Sequence, residues 1–167
     1  ALPISLTVKY IQDQFNWVSK KFSASTVVEK TCANSLRVPF VDKVVPGAKY
    51  IYIVRDGFDV IGSAKLRWTA NLNILYLLKK VKFVPTSDLV YYMWRYIKTR
   101  IYRILSKDNR SEFWGPSLSK MDEITKSHDL NEICALQWKK CVESSDVAFS
   151  NMQSNVVCYV QYENFVI

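Results

Sequence analysis

Glycine is scarce: the chain has four in 167 residues, where an average usage of roughly 7% gives about a dozen. A glycine-rich phosphate loop is therefore not expected, and no G-x4-G-K-[ST] run occurs, which disfavours a nucleotide kinase relative. Histidine is reduced to His128, and Cys32, Cys134, Cys141 and Cys158 contain no C-x2-C pair. This spacing argues against a zinc site and against a disulfide framework; no metal is expected, and reduced thiols in the cytosol are. No apolar run approaches the ~18 residues that a membrane span needs. The amino end, Ala1-Leu2-Pro3-Ile4, lacks the charged-then-apolar order of a signal peptide. A chain that starts without Met and stops at Ile167 just after an apolar run is expected to be a piece of a longer polypeptide.

What is abundant is apolar and basic. Hydrophobic residues make up 49%, aromatics 14% and charged residues 23%, the profile of an ordered globular chain with one domain's worth of core. Lys and Arg number 23 against 15 Asp and Glu, a net charge of +8, so the protein should attract anions. Phosphate, sulfate, acidic glycan and anionic lipid all remain open. Nucleic acid is not expected, because the basic residues are spread over several faces and no recognised nucleic-acid motif occurs.

Ile4, Val8, Ile11, Phe15, Val18 and Phe22 recur at three and four residues and predict an amphipathic helix. Thr26–Glu29 and Lys49–Val54 read as strands, with a short helix over Ser35–Val45 between them whose start Pro39 bends. Asp56 is a good N-cap for a helix that opens directly after the second strand, with Asp59 in its first turn. A last helix, Asn131 to Phe149, leads to a strand over Val156–Val160. Strand–helix–strand order implies a parallel sheet of three strands, thin enough that further strands are expected beyond this sequence. From about 70 to 128 the text turns to aromatic-rich helix: Leu89, Tyr92, Met93, Tyr96, Ile97, Ile101, Ile104 and Leu105 form an apolar stripe, with Arg95, Lys98, Arg100, Arg103, Lys107 and Arg110 mainly outside it. Such a stripe is core in most proteins; the charges are either a solvated face or a platform for an acidic acceptor.

Open parallel sheets bind ligands at the carboxyl ends of their strands, and Arg55 holds that position. Ser63 lies about two helical turns further on, where its hydroxyl can share a ledge with the helix start. A guanidinium fork with a hydroxyl suits a phosphate dianion. The alternative is that Arg55 pairs with Asp56 or Asp59 and Ser63 is a small packing residue.

The segments Glu29-Lys30-Thr31, Leu36-Arg37-Val38-Pro39-Phe40 and Pro46-Gly47 through Arg55-Asp56-Gly57-Phe58-Asp59-Val60-Ile61-Gly62-Ser63 resemble the middle of a sulfotransferase that uses 3′-phosphoadenosine 5′-phosphosulfate. The resemblance extends to Trp68, Trp138 and Tyr159-Val160-Gln161-Tyr162-Glu163-Asn164-Phe165, and is closest to bacterial and Golgi-type members. It implies a three-layer α/β domain, the P-loop NTPase-like sulfotransferase fold, here incomplete over 1–167 and carrying a helical insertion. It implies that Arg55 and Ser63 grip the donor's 3′-phosphate; Lys30, at a strand's carboxyl end, is either the source of catalytic positive charge or a partner for Glu29 or Asp59. Sulfuryl transfer to a hydroxyl or amine of a glycan, lipid or small molecule is then the expected reaction, an in-line attack without a metal. The phosphosulfate loop that the family places ahead of these motifs has no counterpart before Thr26. Animal cytosolic members carry a basic His where this chain has Cys32, so the base is either Glu29 or a residue outside the sequence. The alternative function is a non-catalytic anion- or nucleotide-binding module on the same fold. The expected compartment is the cytoplasm, or the Golgi lumen if a membrane anchor precedes the sequence.

Overall fold

The structure, a computed structural model, describes residues 4–70 and 114–166, with positions 90, 93, 94, 97, 98 and 101 between them. Helix α1 spans Ile4–Phe22, as the spacing predicts. Val8, Ile11, Phe15 and Val18 are half-buried, and the Gln12 amide donates to the Val44 carbonyl at 2.8 Å, tying α1 to the next helix.

The expected strand at Thr26–Glu29 does not form. Val28 is 82% exposed, and the stretch has no ladder partner among the described residues. Instead the Glu29 carboxylate accepts from Asn34 Nδ2, and the chain winds into a 3-10 turn, Cys32–Leu36. Helix α2 is correspondingly shorter than expected, Val38–Val44. Pro39 sits in its first turn, where a missing N–H breaks no helical bond, so it starts the helix and does not kink it. Gly47, at φ +81°, turns the chain into strand β1, Tyr50–Val54.

Asp56 caps helix α3, Gly57–Thr69, accepting from Phe58 N at 2.9 Å and Asp59 N at 3.3 Å. Helix α4 is Met121–Ser127. Helix α5, Leu130–Ser150, opens with a reciprocal capping box in which Asp129 Oδ1 accepts from Glu132 N and Glu132 Oε2 accepts from Asp129 N, both at 2.9 Å. Strand β2, Val157–Gln161, runs parallel to β1 from Tyr50↔Val157 to Val54↔Gln161, and a single helical turn, α6, Tyr162–Phe165, follows.

The architecture is mixed α/β and mostly helical, with, among the described residues, a two-stranded parallel sheet in place of the expected three strands. Two cores lie along α5. Beneath the sheet, Phe149 packs against Tyr50 and Tyr52, ring centroids 5.4 and 5.1 Å away, with Val38, Ala148 and Val157. Nearer the start of α5, Ile133 and Cys134 enclose Trp68 with Ala64 and Met121. Ile51 and Ile53, on the other face of the sheet, are 69% and 52% exposed, so among the described residues helices cover one face and the expected third layer is not formed. Of the apolar stripe at 89–105, Met93, Ile97 and Ile101 are helical and exposed, not core; its other members lie outside the described residues. His128 is an exposed polar residue between α4 and the N-cap of α5, with Nδ1 2.8 Å from Ser127 Oγ.

Candidate anion-binding cavity

At the carboxyl end of β1 the two cores part around a cavity of about 280 Å³, near the lower end of small-molecule sites. Arg55 and Ser63 both line it. The cap at Asp56 sets α3 running away from the strand end, and two turns later that helix presents Ser63, exposed, on the cavity side. Gly57 allows a close approach here: a Cβ would stand 3.1 Å from the Trp138 ring, so the ring would have to give by a few tenths of an ångström, and its indole N–H donates to the Arg55 carbonyl at 3.3 Å. The strand end, the helix start and the middle of α5 are thereby held together.

Arg55 is one-third exposed and pairs with Asp59 Oδ2 at 3.2 Å, one of the two partners considered from sequence. The pair uses one terminal nitrogen. Nε is buried and has no hydrogen-bond partner among the described residues, and the guanidinium carbon stands 4.6 Å from the Tyr162 ring centroid. A buried donor without an acceptor costs free energy, and this one belongs to a residue that lines the cavity wall. Ser63 is no packing residue; it is open to solvent on the same wall.

The carboxyl-terminal motif meets the same place. Glu163 Oε1 accepts from Asp56 N at 2.8 Å across 107 residues of sequence, while Gln161 Nε2 donates to its other oxygen. These hydrogen bonds, the Asp56 N–H foremost, hold the Glu163 carboxyl below its ordinary pKa, with help from nearby Arg55. Asp56 thus serves α3 with its side chain and Glu163 with its backbone.

The remaining wall is aromatic and thiol-bearing: Tyr52, Trp114, Trp138, Cys32, Cys134 and Cys141. Gln137 anchors it. Buried, it donates to the carbonyls of Trp114 at 3.0 Å and Pro116 at 2.9 Å and accepts from Trp68 Nε1 at 3.4 Å. Gly115 accommodates this clamp at φ +88°, where an added Cβ would meet Gln137 Nε2 at 3.1 Å. Gln137 was not singled out in the sequence, where its one trace is a polar residue interrupting the apolar face of a helix.

Lys30 is not brought into the cavity. It is exposed on the extended stretch that replaces the expected strand, between Glu29 and Thr31, which line a separate cavity of about 230 Å³ with Arg37, and Cys32, which lines the main one. Among the described residues no group of three or more His, Cys, Asp or Glu is placed to hold a metal ion, and no helix is long and apolar enough to cross a membrane. The chain matches no protein-family model, no curated protein and no solved structure.

Proposed function

We propose that the chain is the nucleotide-binding core of a sulfotransferase of the P-loop-like fold, with Arg55 and Ser63 receiving the 3′-phosphate of 3′-phosphoadenosine 5′-phosphosulfate. The observation that carries this reading is that Arg55, whose buried Nε has no partner among the described residues, lines one cavity with Ser63 at a parallel strand's carboxyl end. When bound, the donor supplies a sulfuryl group for a hydroxyl or amine acceptor, among which acidic glycans and lipids suit the +8 charge. Arg55, steadied by Asp59 and Tyr162, orients a phosphate by charge-assisted hydrogen bonds, and Trp114 and Trp138 offer apolar wall for the rest of the ligand. Lys30 is the candidate for positive charge at the reacting group.

The position of Lys30 outside the cavity lining supports a second reading, an anion-binding module without catalysis. Calorimetry tests the shared step. Adenosine 3′,5′-bisphosphate should bind more tightly than adenosine 5′-phosphate; equal affinities would remove the role given to Arg55 and Ser63. Sulfuryl transfer from labelled donor, lost on Lys30→Ala while bisphosphate affinity is kept, separates the enzyme from the module.

A further inference from the structure

Three of the four cysteines line one cavity, and all four are free thiols. Their settings differ. Cys32, at the start of the 3-10 turn, is exposed; Cys141, in the middle of α5, is half-buried; Cys134, two turns earlier on α5, is enclosed in the core around Trp68. The 3-10 turn and α5 are stitched together by Ser145 Oγ donating to the Ser35 carbonyl at 3.2 Å. Cys32 is three residues, one 3-10 turn, before Ser35, and Cys141 is four residues, one α-helical turn, before Ser145. Both cysteines line the same cavity, and Cys32 stands near enough to Cys141 to act on its thiol. Burial, and then the neighbouring Cys32, push the Cys141 thiol up to about 11. At neutral pH Cys141 stays protonated, and of this pair the exposed Cys32 is the thiol open to a soluble oxidant.

We propose that Cys32 and Cys141 form a peroxide-responsive thiol pair that closes across the cavity beside Arg55. Cys32 thiolate attacks one oxygen of hydrogen peroxide, the O–O bond breaks, and Cys32 becomes a sulfenic acid with release of hydroxide. Cys141 sulfur then attacks the Cys32 sulfur, the S–O bond breaks, and the thiol proton leaves with the hydroxyl as water. Two thiols are oxidised to one disulfide and one peroxide is reduced to water. Cys158 takes no part, since it stands opposite Ile51 on the bare face of the sheet. The pairing is independent of what the cavity binds.

Peptide mapping of the full chain after peroxide treatment, without reductant, tests this. The expected product is an intramolecular Cys32–Cys141 link in monomeric protein, reversed by dithiothreitol and unchanged in Cys134→Ala and Cys158→Ser. In Cys141→Ser, or Cys141→Ala should the serine not be tolerated, Cys32 should instead accumulate as a sulfenic acid that dimedone traps. A wild-type protein in which Cys32 proceeds to sulfinic acid with Cys141 still reduced would overturn the pairing. So would a link from Cys32 to Cys134, to Cys158 or to a second chain.

Discussion

Helix α5 packs in two different ways along its length. Its first half is helix on helix: Ile133 and Cys134 enclose Trp68 from α3 and Met121 from α4. Its last turns are helix on sheet: Ala148 and Phe149 lie under Tyr52 and Val157 of the two strands. One partner offers side chains at a period of 3.6 residues, the other at a period of two, and the two patterns do not continue into one another. At the seam, along Gln137, Trp138, Cys141 and Val142, the packing opens into the cavity. The seam coincides with the carboxyl end of β1, where open α/β sheets bind ligands. The cavity is thus a consequence of joining two kinds of layer on one helix.

The largest test of this division is Trp68→Ala. Trp68 and Ile133 are both 0% exposed, and truncating a buried aromatic residue costs about 3–5 kcal/mol, with Gln137 Oε1 also losing its donor. The denaturation midpoint should fall accordingly, and because α5 belongs to both cores, signals from the sheet aromatics and from the helices should fall together. Separate transitions would show two independent units. Arg55→Ala comes next. Removing a charge-assisted contact costs about 1.5–3 kcal/mol, so calorimetry should show adenosine 3′,5′-bisphosphate bound roughly tenfold or more weakly. Stability should change by less than about 1 kcal/mol, since the Asp59 pair is partly solvated.

Much of this seam was legible in advance. The cap at Asp56, the position of Arg55 at a strand end and Ser63 two turns later are local features, set by residues close in sequence, and the structure brings both into one cavity. Elements that depend on distant partners were harder to read. Thr26–Glu29 has β-branched residues, yet strand propensity means little where no ladder partner lies alongside among the described residues. Lys30 was placed by that same strand and stands outside the cavity with it. Gln137 was invisible because its role depends on carbonyls at Trp114 and Pro116, reached only after the chain turns at Gly115.

Asp59→Asn sharpens the contrast between a structural and a receptive Arg55. The carboxylate takes one guanidinium nitrogen and competes with any incoming anion. Neutralising it should raise bisphosphate affinity by a few-fold, about 1 kcal/mol at most for so exposed a pair, with added salt narrowing the difference. An affinity that falls in low-salt titrations would mean that Asp59 is needed to aim Arg55, and that orientation outweighs charge at this site.

The smallest effect expected is the pH dependence carried by Glu163. Its carboxyl is held below the ordinary value of 4.5, chiefly by the Asp56 N–H, so the folded state favours the ionised form. The stabilisation is fully present above the unfolded value and is lost as the pH falls through the lower folded value. Glu163→Gln keeps an acceptor for Asp56 N–H but no charge, and should leave an acid limb less steep than that of the wild type. The stability difference between the two proteins, read from denaturant midpoints, should be widest near neutrality and close to zero well below pH 4.5. A difference that stays constant from acid to neutral pH would show that the tie between the two strand ends rests on the shape of the acceptor and not on its charge. Glu163 would then be a spacer joining β2 to the start of α3, with no part in the electrostatics around Arg55.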